Sequence, residues 1–164
     1  MKKKFAIPAL SIILVVACLL SSCSIFGEKT FTVDELSITM SGMFIESEQE
    51  GAEAFYLTTD IGVLVHKETF EELEDKDYVI ADLTEADYAK LRMEANEIEA
   101  EIVEESGSVC YEYNFDSDGS SFRDLVVVKK GNNAFWVISF YCLEDSFESN
   151  KANFLKYASS VTFS

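Results

Sequence analysis

The chain reads as an α+β protein, an antiparallel β-sheet flanked by helices. Three observations point there. Apolar and polar residues alternate with period two in runs from Phe31 to Phe163. Two stretches opened by Thr69 and Thr84 carry helix-start signals. Finally, Ala134 to Cys142 is apolar on both faces of a strand, which belongs in the middle of a sheet covered on both sides.

In chain order, the first segment is not part of that domain. Lys2, Lys3 and Lys4 precede an apolar run from Phe5 to Leu20, the charge-then-apolar order of an export signal. A spanning helix is the rival reading, but a span needs about 20 apolar residues. The run closes instead on the small residues Ser21 and Ser22. Leu20, Ser21, Ser22 and Cys23 resemble the lipobox of bacterial lipoproteins, an aliphatic residue and two small ones before a cysteine. The resemblance implies that signal peptidase recognises Leu20, Ser21 and Ser22, that a diacylglyceryl group is attached to Cys23, and that Cys23 becomes the first mature residue. Two acyl chains suffice for stable anchoring where one is marginal. The division that follows is 1–22 signal peptide, 23–29 lipidated cysteine and short tether, and 30–164 a single domain. Cys18 leaves with the signal.

Phe31 to Met40 reads as one strand, with Phe31, Val33, Leu36, Ile38 and Met40 apolar, broken by Ser41 and Gly42. Met43 to Gly51 is acidic and reads as loop. Ala54 to Leu57 and Ile61 to His66 read as a hairpin around Thr58 to Asp60. Thr69 with Glu72 forms a capping-box pattern for a short helix. Thr84 with Asp87 starts a longer one whose buried stripe is expected at Tyr88, Leu91, Ala95 and Ile98. From Glu97 helix gives way to strand before Gly107.

Val109, Tyr111, Tyr113 and Phe115 alternate, Asp116 to Gly119 turns, and Phe122 to Lys129 returns. Gly131 to Asn133 leads into the two-faced strand Ala134 to Cys142. A helix from Asp145 or Ser146 should bury Phe147, Phe154, Leu155 and Ala158, and a short strand through Val161 and Phe163 follows. This order, with "LSITMSG", "FWVISF" and "FLKYASSVTF", resembles the Mog1/PsbP-like fold over most of residues 31 to 164. The resemblance implies an α/β/α sandwich and an accessory or binding role. No functional residue of that family maps onto a motif here.

Composition narrows the partners. All 30 acids but only 10 of the 13 basic residues lie after residue 22, giving the mature chain of 142 residues a balance of −20. That disfavours nucleic acid and favours cations or basic proteins. Residues 46 to 105 hold 20 acids against Lys67, Lys76, Lys90 and Arg92. They read as a solvated face, or as a docking face for a basic partner or divalent cations.

No catalytic set is evident. His66 is the sole histidine and reads as a solvated or partly packed residue at a strand end. Neither a G-x-S-x-G elbow nor a phosphate-binding glycine loop occurs, so no catalytic, metal or cofactor residue is nominated. Asp116, Ser117, Asp118 and Gly119 begin like a calcium loop, but Val127 stands where the closing glutamate belongs. Cys110 and Cys142 read as small buried hydrophobes, with a disulfide between them as the alternative.

The expectation is therefore a membrane-anchored extracytoplasmic lipoprotein acting as a binding or accessory module. A hydrolase using carboxylates alone is the alternative from another class, and an assembly subunit docking a basic partner through its acids is a third.

Overall fold

A computed structural model describes residues 27–164. The signal-peptide reading of residues 1–22, the recognition residues Leu20, Ser21 and Ser22, and the lipid site Cys23 lie outside the described residues. No helix among the described residues is long and apolar enough to cross a membrane.

The main sheet has seven antiparallel strands: β3 (Ile45–Ser47), β4 (Ala54–Leu57), β5 (Ile61–Thr69), β6 (Val103–Glu105), β7 (Ser108–Ser117), β8 (Ser120–Lys130) and β9 (Ala134–Leu143). Their order is β3-β4-β5-β9-β8-β7-β6, so β9 is central, as its two apolar faces require. A second sheet joins β1 (Glu28–Val33), β2 (Leu36–Ser41) and β10 (Thr162–Phe163), with β2 in the middle. The helices are α1 (Phe70–Glu74), α2 (Glu85–Ala95) and α3 (Glu144–Ser159), with a 3-10 turn at Ile80–Asp82.

The faces of β9 sort the core into two layers. Trp136, Ile138 and Phe140 pack with the small sheet and with Phe147, Phe154, Leu155 and Ala158 of α3. Phe140 stacks on Phe154 at 5.6 Å between ring centres. Phe135 and Val137 pack on the other side, against Leu73 of α1 and Tyr88, Ala89 and Met93 of α2. The Tyr88 and Phe135 rings stack at 4.4 Å.

Both capping boxes form. Thr69 accepts from the Glu72 N–H, Thr84 accepts from the Asp87 N–H, and each acid returns a bond to its capping backbone. This satisfies donors that the first helical turn cannot pair internally.

Several boundaries differ from the sequence reading. The expected single strand Phe31 to Met40 is a hairpin: Asp34 takes a positive φ of 47° and Val33 pairs with Leu36. The apolar positions change phase across the two-residue turn, from Phe31 and Val33 to Leu36, Ile38 and Met40, and that slip of one residue is the turn's mark in the sequence. Within the expected loop Met43 to Gly51 lies the exposed edge strand β3. Strand β5 continues three residues past His66, placing that histidine in mid-strand. The 116–119 turn narrows to Asp118 and Gly119, both at positive φ, the two-residue hairpin geometry that Asp-Gly favours. Helix α2 ends at Ala95, Glu97 turns the chain at φ 55°, and strand resumes only at Val103.

The buried stripe of α2 also has another phase. Tyr88, Ala89 and Met93 are buried, whereas Leu91 is half-buried and Ala95 exposed. The helix packs on an i, i+1, i+5 face, which brings Arg92 to the sheet side.

Cys110 and Cys142 are free, buried thiols. Cys110 is level with Ile138 across β8, four residues before Cys142 on β9. That offset is two strands, about 10 Å, across and about 13 Å along the sheet, too far for a disulfide's Cα separation of about 4 to 7 Å.

Candidate functional site: an aromatic trough on the main sheet

Helices α1 and α2 cover one end of their face of the main sheet. Beyond them β7, β8, β9 and β5 floor an open trough of about 690 Å³. Strand register builds it row by row. Tyr113, Asp124 and Tyr141 are paired neighbours across β7, β8 and β9, and Phe115 pairs with Phe122 one step toward the hairpin end. On the helix side, Tyr111, Val126, Ser139 and Leu64 make the next row. Arg92, Asn96 and Ile98, at and just past the end of α2, form the rim, with His66 on β5.

Tyr111, Tyr113, Phe115, Phe122 and Tyr141 supply five aromatic rings. Phe115 stacks on Phe122 at 5.4 Å, and Tyr141 meets both rings edge-on at 6.0 and 6.3 Å. Gly62 on β5 makes room for the tyrosine: a Cβ there would lie 2.2 Å from Tyr141 Cζ.

Asp124 sits among these rings, 3% exposed. Burial pushes its carboxyl up from 3.8 to about 7. The Ser139 and Tyr113 hydroxyls and the Phe140 N–H draw it back down in part, yet Oδ1 has no partner at hydrogen-bond geometry. The same desolvation, followed by the Asp124 charge, raises Tyr113 and Tyr141, keeping both phenols protonated at neutral pH. Tyr111 is pushed up to about 12, also by burial. At the rim, Arg92 Nε is buried without a partner. His66 Nδ1 lies 2.9 Å from the Gly51 carbonyl oxygen.

Among the described residues lining the trough, Asp124 is the one carboxylate, so no second acid faces it. Among the described residues no cluster of three or more His, Cys, Asp or Glu is arranged to hold a metal ion. The acids of residues 46 to 105 spread over the surface, and several have local duties. Glu72 caps α1, and Glu68 accepts from Tyr88 at 2.6 Å and pairs with Lys76. Glu71, Glu74 and Asp75 remain exposed on and just after α1.

Sequence reasoning singled out His66 and the strands, but neither Asp124 nor Arg92. The signal for Asp124 was present: on β8 it falls in the series Phe122, Asp124, Val126, Val128, one acid among inward apolar residues. Arg92 was hidden by the misjudged phase of α2.

No protein-family model matches the chain, and no curated protein matches it. Solved structures do. The solution structure of cyanobacterial PsbP (CyanoP) from Synechocystis sp. PCC 6803 matches with a TM-score of 0.57 at 20% identity, over 89% of this chain and 99% of that one. A crystal structure from Bacteroides thetaiotaomicron VPI-5482 matches with a TM-score of 0.56 at 13% identity, over 83% of this chain. The match spans 48% of that longer protein. At these identities the likeness establishes the fold, a PsbP-like α+β architecture.

Proposed function

We propose that this PsbP-like chain is an extracytoplasmic lipoprotein, held on a cell membrane through Cys23, whose domain is a binding or accessory module. The trough carries the binding reading. Its volume of about 690 Å³ falls in the range of small-molecule sites, and its lining sets aromatic and aliphatic side chains among polar ones, Gln49, His66, Arg92, Asn96 and Ser139. A hydrolase built on carboxylates needs a second acid facing the first, and the trough offers Asp124 alone. Fold likeness by itself is weak evidence of role, and the support comes from the trough's own residues.

The location rests on Leu20, Ser21, Ser22 and Cys23 directly after the apolar run. Globomycin treatment, or Cys23→Ala, should leave a larger, unlipidated precursor, and the native protein should begin at a diacylated Cys23 by mass spectrometry. Unchanged mobility with unchanged membrane partition would overturn the anchor.

A further inference from the structure

We propose that the trough takes a small carboxylate with a planar apolar body, the carboxylate meeting the terminal nitrogens of Arg92 and the body lying on the rings of Tyr113, Phe122 and Tyr141. This rests on the trough being the binding face and adds the chemical class of its ligand.

The first support is the state of Arg92. The chain has two arginines. Arg123 is held by Glu112 and Glu148, whereas Arg92 forms no ion pair among the described residues, in a chain with 30 acids. Its Nε is buried, but its two terminal nitrogens, which have no hydrogen-bond partner among the described residues, are not. They are the part of the group that a molecule in the trough can reach, and a guanidinium presents them as a fork matched to a carboxylate.

The second support is the floor. Tyr113, Phe115, Phe122 and Tyr141 are half-buried, so each shows ring surface to the trough. Rings accept another flat apolar body in offset or edge-on contact. The third is that the acids of this region are otherwise engaged. Glu68 accepts from Tyr88 and pairs with Lys76. Asp124 lies beneath the rings, with the Ser139 and Tyr113 hydroxyls and the Phe140 N–H as its donors. The net charge of −17 repels anions at a distance, so selection falls to the contact with Arg92.

The intact protein would be titrated at pH 7 with three probes that share a phenylethyl body: 3-phenylpropionate, 2-phenylethanol and phenethylammonium. Amide chemical shifts report where each one sits. The expected result is that 3-phenylpropionate binds between Arg92 and the row of Tyr113 and Tyr141 about tenfold tighter than the alcohol, the gain from hydrogen bonds to a charged group. Arg92→Gln should abolish that preference while leaving alcohol binding unchanged, which also shows the trough intact. Arg92→Lys keeps the charge without the fork and should retain only about a third of the preference. Phe122→Ala should weaken the acid and the alcohol by the same factor, because it removes a wall that both use.

Equal binding of acid and alcohol, or a preference that survives Arg92→Gln, would overturn the carboxylate yet leave the trough as a binding face. Tightest binding of phenethylammonium would overturn it in favour of a cation site. Binding of none would remove both readings.

Discussion

Replacing Asp124 by asparagine should change how the stability of the protein depends on pH, and the size of the change follows from the structure. Burial holds the carboxyl at about 7 in the folded chain against an ordinary value of 3.8. With the folded-state value above the unfolded one, the native chain holds the extra proton between those limits. Its contribution is therefore fully present below about pH 4 and is lost as pH rises through about 7. A difference of about three pH units, at about 1.36 kcal/mol each, gives a loss on the order of 4 kcal/mol. More than half of it falls between pH 5 and pH 8. Asparagine has no charge to desolvate, so the variant should lack this loss. Urea denaturation of both proteins at several pH values measures it, and subtracting one from the other cancels every shared titrating group. The advantage of the variant should grow by about 3 kcal/mol from pH 5 to pH 8. Parallel stability profiles would refute the assignment of a desolvated carboxyl to this position.

Other perturbations test separate parts of the molecule. Gly62→Ala puts a methyl group 2.2 Å from Tyr141 Cζ; the ring must leave its seat, with a cost of about 1–3 kcal/mol in urea denaturation, and an unchanged midpoint would contradict the packing. Phe140→Ala empties the contact with Phe154 on the α3 side and should cost about 3–5 kcal/mol by the same measurement. Thr84→Ala removes the cap of α2 and should cost about 1 kcal/mol; Thr84→Ser should restore most of it. Burial raises the thiols of both Cys110 and Cys142, so an aromatic disulfide reagent should modify them no faster than the chain unfolds. Rapid reaction at either one would place it at the surface.

Where the physics is local, residues near in sequence were enough to read the fold. Thr69 with Glu72 and Thr84 with Asp87 announced both capping boxes, because each bond spans three residues. The two-faced run from Ala134 placed β9 at the centre of its sheet before any partner strand was known. Legibility failed where a decision depended on distant packing. Near Asp34 the only local sign of a turn is the one-residue slip in alternation between Val33 and Leu36, and burial of Ile38 and Met40 beside Phe31 shows what the slip means. The phase of α2 is set by Phe135 and Val137, more than forty residues downstream, and with it went Arg92. The trough exists only once strand pairing sets Tyr113, Asp124 and Tyr141 side by side. Each of the three is legible on its own strand, Tyr113 and Tyr141 in apolar runs and Asp124 as a lone acid in one, but their juxtaposition is not.

The layering of the core has a consequence for orientation. Strand β1 belongs to the small sheet, in the same layer as α3, whereas the trough opens on the reverse of the seven-stranded sheet. With Cys23 lipidated as proposed, the domain is entered at β1, on the α3 side. The α3 side would rest toward the bilayer, and the ring-lined mouth would look outward to whatever diffuses past.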